Sequence, residues 1–145
     1  MYRFKLEALL NHRRHQEEAC QKELAQTRRR LTDEREKLER KKREKQESLE
    51  QLQAKKHEST SVSDIMLSMN YIQQLSKDIE DQAMHVHKTA KLVDQKRHEL
   101  ISIMQKRKTL KNLKYREQQA YQHKLMQEER KTMDELASVR HARKM

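Results

Sequence analysis

Glycine, proline and tryptophan are absent from this chain of 145 residues, and there is one cysteine. Each absence excludes something. Without glycine, no backbone loop can cradle a phosphate in the known ways, so nucleotide hydrolysis by this chain alone is excluded as a reading. Without glycine and proline the usual turn formers are missing, and a turn must be built from other residues. A single cysteine, Cys20, rules out an intrachain disulfide and fits a reducing compartment. Hydrophobic residues are 33% and aromatics 3% of the chain, against about 45–50% apolar in an ordinary domain. A thick core is therefore out of reach, although each helix can bury one narrow stripe. No apolar run approaches the ~18 residues of a membrane span. The N-terminus, MYRFKLEALLNHRRH, has charges inside its short apolar part, so it does not read as a signal peptide.

What is present is charge. Asp, Glu, Lys and Arg make up 39% of the chain, and the net charge is +11. Residues 1–60 hold 17 basic and 12 acidic side chains, and the remainder 17 and 11, so the excess is spread along the chain. It permits nucleic acid, an anionic membrane surface or an acidic protein as partner. Low hydropathy with high charge is also a signature of disorder. The dominance of strong helix formers, with no Gly or Pro, argues instead for long helices or coiled coil.

The apolar spacing bears this out. Leu10, Leu24, Leu31 and Leu38 form one row at sevens, with Glu17 at the missing step. Leu6, Arg13, Cys20, Thr27 and Glu34 form a companion row. Leu49 and Leu52 then read as a shift of register, as in a stutter. Further on, Ile65, Met69, Ile72, Ser76, Ile79, Ala83, Val86, Ala90, Val93, Arg97, Leu100 and Met104 alternate steps of four and three. Ten of these twelve are apolar, which is a coiled-coil seam of about five heptads. After Met104 the register reads as slipping.

Between the two parts lies the chain's one Ser and Thr cluster, Ser59, Thr60, Ser61 and Ser63. Such residues suit turns and N-caps, and Ser63 or Asp64 would cap the second helix. The expectation is an all-α, antiparallel two-helix coiled-coil hairpin forming a single domain over 1–145. Helix one spans about 2–57, the bend about 58–63, and helix two about 64–142. Residues whose numbers add to about 120 then face each other: Leu38 with Ala83, Leu31 with Ala90, and Leu10 with Leu110. The basic stretch Arg28 to Lys45 would lie opposite Asp78, Glu80, Asp81 and Asp94. The second helix would overrun the first by about 25 residues, some 37 Å at ~1.5 Å per residue. That overrun includes Tyr121, Leu125, Met126, Met133, Leu136 and Val139.

No catalytic constellation appears, and no cofactor or small-molecule substrate is implied. Cys20 lacks a preorganised base and sits at a seam position, where a small buried hydrophobe is the plainer reading. His12 and His15 could share a helix face, whereas His85 and His87 could not, and neither pair has the further ligands a zinc site needs. Lys106 to Arg116 carries six Lys or Arg and no acid. That patch would suit a phosphate backbone or an anionic lipid surface. No base-reading motif accompanies it, so nucleic acid is disfavoured and a solvated face balanced by Glu7 and Glu17 is preferred.

Three segments carry a resemblance. FKLEALLNHRRHQEE supplies Phe4, Leu6, Leu9, Leu10 and Arg13. SVSDIMLSMNYIQQLSKDI supplies Val62, Tyr71, Gln73, Gln74, Leu75 and Ile79. ERKTMDELASVRHARK supplies Met133, Asp134, Glu135, Leu136 and Ala137. In order and chain length these resemble the FliJ family of bacterial flagellar type III export proteins. The resemblance implies an antiparallel two-helix coiled coil like the central stalk of rotary ATPases, without enzymatic activity. It implies binding to the hexameric flagellar export ATPase, linkage of that ring to the membrane export gate, and escort of empty export chaperones. It places the protein in the cytoplasm, peripherally at the inner membrane of the flagellar base, as a monomer in isolation. On this reading Tyr121, Leu125, Met133, Asp134 and Leu136 would meet the ATPase. Leu49, Leu52, Tyr71, Ile72 and Leu75, near the bend, would meet the gate. The alternative is a basic coiled-coil protein that binds nucleic acid or an anionic membrane surface.

Overall fold

The computed structural model describes residues 1–58 and 61–144. It holds two helices, α1 over Glu7–His57 (51 residues) and α2 over Val62–Lys144 (83 residues). Among the described residues there is no strand. The chain divides into two compact units: Met1–Glu18 with Ile101–Met145, and Ala19–Leu100. In each unit α1 and α2 pack antiparallel, so the architecture is an all-α two-helix coiled-coil hairpin.

The start of α2 is capped by Ser61. Its hydroxyl accepts the Asp64 N–H at 3.3 Å, and its carbonyl accepts the Ile65 N–H at 3.2 Å. The expected caps, Ser63 and Asp64, instead lie inside the first turn. With Ser61 as cap, Asp64 falls three residues on, where a carboxylate faces the positive end of the helix. Ser59 and Thr60, part of the expected bend, lie outside the described residues.

α1 follows one uninterrupted heptad pattern. Its inward positions are Leu10, Leu24, Leu31, Leu38 and Leu52 in one row, with Glu17 and Lys45 filling the steps. Arg13, Cys20, Thr27, Glu34, Lys41 and Ser48 make the other. The stutter inferred at Leu49 is therefore absent. Leu52 lies two heptads beyond Leu38, and Leu49 sits outside the row. Leu6 does not join the companion row either, because residues 1–6 precede the helix and Phe4 is buried there.

In α2 one predicted row is right: Ile72, Ile79, Val86, Val93 and Leu100 all turn inward. Its companion is displaced by one residue. Leu75, Gln82 and Thr89 are buried, while Met69, Ala83 and Arg97 are exposed and Ser76, Ala90 and Met104 are half-buried. Both choices keep steps of three and four, so periodicity alone does not separate them. Leu75 covers more apolar area than Ser76, and Gln82 gains partners that Ala83 lacks. Gln82 is 3% exposed, and its Nε2 donates to the Glu34 carbonyl at 2.9 Å and to the Glu34 carboxylate. The register also continues past Met104, through Arg107, Leu110, Lys114 and Tyr121.

In the Ala19–Leu100 unit, Leu24, Leu31 and Val93 form the core, with Val86, Ala90 and Leu100 against it. Leucines of α1 thus meet Val86, Ala90 and Val93 as well as Leu100 of α2, and Ala90 packs on the cluster that holds Leu31. The expected pairing of Leu38 with Ala83 is replaced there, since Ala83 faces out. This register predicts that Leu75→Ala lowers stability by about 2–5 kcal/mol, the range for a truncated core leucine. Ala83→Ser, on the outside, changes it by less than ~0.5 kcal/mol. Urea titration followed by circular dichroism at 222 nm measures both.

Candidate partner-binding surfaces

In the unit formed by residues 1–18 and 101–145, charge is built into the seam. Arg107 of α2 contacts the Glu17 carboxylate, and Lys114 Nζ lies 2.8 Å from Glu7 Oε2. Arg107 Nε and Glu7 Oε2 are shut off from solvent and meet these partners as ion contacts without an aligned hydrogen bond. Two of the six cations between Lys106 and Arg116 are thereby neutralised from within. Lys106, Lys108, Lys111 and Arg116 face solvent. This unit holds 16 Lys or Arg against eight acids, net +8; residues 19–100 hold 18 against 15, net +3.

The ion pairs run opposite to the expected direction. Arg28 to Lys45 was to meet acids of α2. Among the described residues, the ion pairs between helices instead join acids of α1 to bases of α2, including Lys96 with Glu23 at 3.0 Å. The physical reason is the register: Lys96, Arg107 and Lys114 occupy inward positions, whereas most of the Arg28–Lys45 charges point outward. The Glu23 carboxylate, accepting from the Lys96 ammonium, holds that lysine above its ordinary value.

The paired part of this unit ends at an aromatic contact. The rings of Tyr2 and Tyr121 are 5.7 Å apart at an interplanar angle of 45°. Tyr2 Oη donates to Glu117 Oε2 at 3.1 Å, and lies 3.5 Å from the Lys114 carbonyl. Desolvation first, then this bond and the charges of Glu117 and Glu7, push the Tyr2 phenol upward. Beyond Tyr121 every described residue, 122–144, is exposed. Of the ATPase-contact candidates, Leu125, Met133, Asp134 and Leu136 lie on this free arm, joined by Met126 and Val139. Tyr121 does not; it closes the pairing. Sequence reasoning missed that because Tyr2 precedes the first helix and belongs to no heptad.

The arm's apolar residues do not continue the seam. Extended by sevens, the inward rows reach Lys124, Glu128, Lys131, Glu135 and Ser138, nearly all charged. At ~100° per residue, Leu125, Leu136 and Val139 sit about a sixth to a third of a turn from the middle of those rows, and Met126 and Met133 about half a turn.

The other surface lies within residues 19–100, near the start of α2. Leu49, Leu52, Met66, Met69 and Ile72 line one groove, with Lys45 on its edge. The gate candidates therefore separate. Leu52 and Leu75 are buried in the seam and Ile72 is half-buried, while Leu49 lies at the groove's rim. Tyr71 is 55% exposed but is not part of the lining. Met66 and Met69 complete the groove; the sequence pattern places Met69 on the seam and Met66 on neither row.

Among the described residues no group of three or more metal-ligating side chains comes together. Among the described residues no helix is long and apolar enough to cross a membrane. The family model described as flagellar FliJ protein matches residues 2–145. The chain belongs to the FliJ family. It is thus a component of the flagellar type III export apparatus, in a family without catalytic activity. No curated protein and no solved structure matches it.

Two measurements check the seam of this family member. Glu17→Gln leaves Arg107 without its counter-charge and lowers stability by about 1–3 kcal/mol, read by urea titration. Cys20 is half-buried, and desolvation, then Glu23 and Glu99, raise its thiol above the ordinary value, with Lys96 opposing. A raised value means less thiolate near pH 8 in the folded chain than in the unfolded one. Ellman's reagent at pH 8 therefore reacts more slowly with the folded chain than in denaturant. The gap narrows as pH rises through the folded value.

Proposed function

We propose that this FliJ family member is a non-enzymatic, stalk-like adaptor of flagellar export. Its free arm enters the hexameric export ATPase ring, and the end near the start of α2 meets the membrane export gate. Empty export chaperones are its further cargo. It works as a monomer in the cytoplasm, held peripherally at the inner membrane by its partners. The ATPase contact rests on Leu125, Met133, Asp134 and Leu136, with Met126 and Val139 beside them. The gate contact rests on Leu49, Tyr71 and Ile72, because Leu52 and Leu75 already serve the seam.

The observation that supports this best is the arm. An apolar stripe of some five side chains without cover in its own chain is a surface for a partner. Helices docked through such a stripe use anchors spaced by three, four and seven residues, as Met126, Met133 and Leu136 are.

A chain ending at Tyr121 keeps the contact with Tyr2 and removes the arm alone. It is expected to lose co-purification with the export ATPase while retaining the helical signal of the remaining residues. ATPase binding at full strength by the shortened chain overturns the placement.

A further inference from the structure

The groove near the start of α2 is lined by Met66, Met69 and Ile72 of α2 and by Lys45, Leu49 and Leu52 of α1. Met66 is 59% and Met69 53% exposed. From Ile65 to Lys77 there is no acid. On α1, Lys45 takes the step of the leucine row between Leu38 and Leu52, so the seam beside the groove carries a cation where leucine stands on either side. Lys45 reaches the groove, and among the described residues no acid lines it and no ion pair engages Lys45. The groove is thus an apolar surface of leucine, isoleucine and methionine with one cation and no acid in its lining.

We propose that this groove seats an amphipathic helix of a partner protein with an acidic flank. Its apolar side chains lie on Met66, Met69 and Ile72, and its carboxylates meet Lys45 and Lys41. Methionine suits such a site because its unbranched thioether adapts to differently shaped apolar faces. The lining runs from Met66 to Ser76, about 15 Å at ~1.5 Å per residue, so the seated segment is roughly three turns long. Its anchors follow the spacing of helices laid in grooves. Charge decides the flank, because a basic helix would bring cations against Lys45 and Lys41 with no acid in the lining to meet them. The inference overlaps the gate contact proposed above and rests on it only for the partner's identity, not for the chemistry of the seated helix.

The test uses the full chain and a fluorescein-labelled designed helix of about 14 residues, with leucines at i, i+3 and i+7 flanked by glutamates. A twin peptide carries lysines in place of the glutamates. Fluorescence anisotropy is expected to show saturable binding of the acidic peptide, and at least about ten-fold weaker binding of the basic one. Met66→Ser with Met69→Ser weakens the acidic peptide by about ten-fold or more. Both side chains are exposed, so circular dichroism of that double variant is unchanged. Lys45→Glu reverses the preference between the two peptides. The chain ending at Tyr121 binds the acidic peptide as the full chain does, which separates this result from failure of the ATPase placement. The proposal is overturned if the acidic peptide does not bind, if both peptides bind alike, or if the methionine variant binds unchanged. It is overturned in favour of a membrane surface if the methionine variant abolishes co-sedimentation with vesicles of phosphatidylcholine and phosphatidylglycerol.

Discussion

The structure depends on one constraint: neither helix has more than a narrow apolar stripe, and that stripe is covered by the other helix and, at one end, by the residues before α1. Antiparallel pairing is how a chain so rich in charge buries its leucines. The paired positions add to about 120 in both units, from Glu17 with Arg107 to Glu34 with Gln82, as two antiparallel helices joined near residue 60 require. Because the stripe is narrow, polar residues share it. Gln82, Thr27 and Thr89 are buried, and Glu17 and Arg107 are nearly so. Such groups add little net stability, since desolvation offsets their attraction. Their effect is on register. Sliding α2 by one residue would remove Gln82 from Glu34 and leave buried polar atoms unpaired, a penalty that a leucine-only seam would not impose.

The same constraint locates the surfaces. Two of the exposed apolar surfaces follow from it. Past Tyr121 every described residue of α2 is exposed. Near the start of α2, α1 is present and supplies Leu49 and Leu52 together with Lys45. In the first case the exposed stripe belongs to a single helix; in the second it forms one wall of a groove. These two geometries call for different occupants, one that surrounds or lies along a lone helix and one that lies between two.

The sequence made the pair of helices, their direction and their facing positions legible, because spacing by sevens and the sum near 120 survive without any knowledge of contacts. It resolved only one of α2's two rows. Ile72, Ile79, Val86, Val93 and Leu100 are apolar at every step, whereas for the companion row counting apolar residues favoured Met69, Ala83 and Ala90. The decision lay in long polar side chains, whose stems cover the seam while their tips find partners on α1. A binary apolar count scores Gln82 and Lys96 as outside. The misjudged stutter has the same origin: Lys45 holds the step between Leu38 and Leu52, and a lysine does not read as a seam residue. Tyr2 was illegible for another reason, since it acts from an irregular segment over 112 to 119 residues of chain.

The rotation of the arm's stripe bears on what covers it. Had Leu125, Met133 and Leu136 continued the inward rows, a longer first helix would have covered them, and their exposure would be a matter of chain length. They do not. The extended rows carry Lys124, Glu128, Lys131 and Glu135, which suit water. An added turn of α1 would pack against charge and leave the apolar side chains bare. The arm is therefore patterned for a surface that approaches from a different side than α1. Tyr121 stands at the changeover, fixed by Tyr2 at the last point where the rows still face inward. The ring contact thus divides a segment patterned for its own chain from one patterned for another.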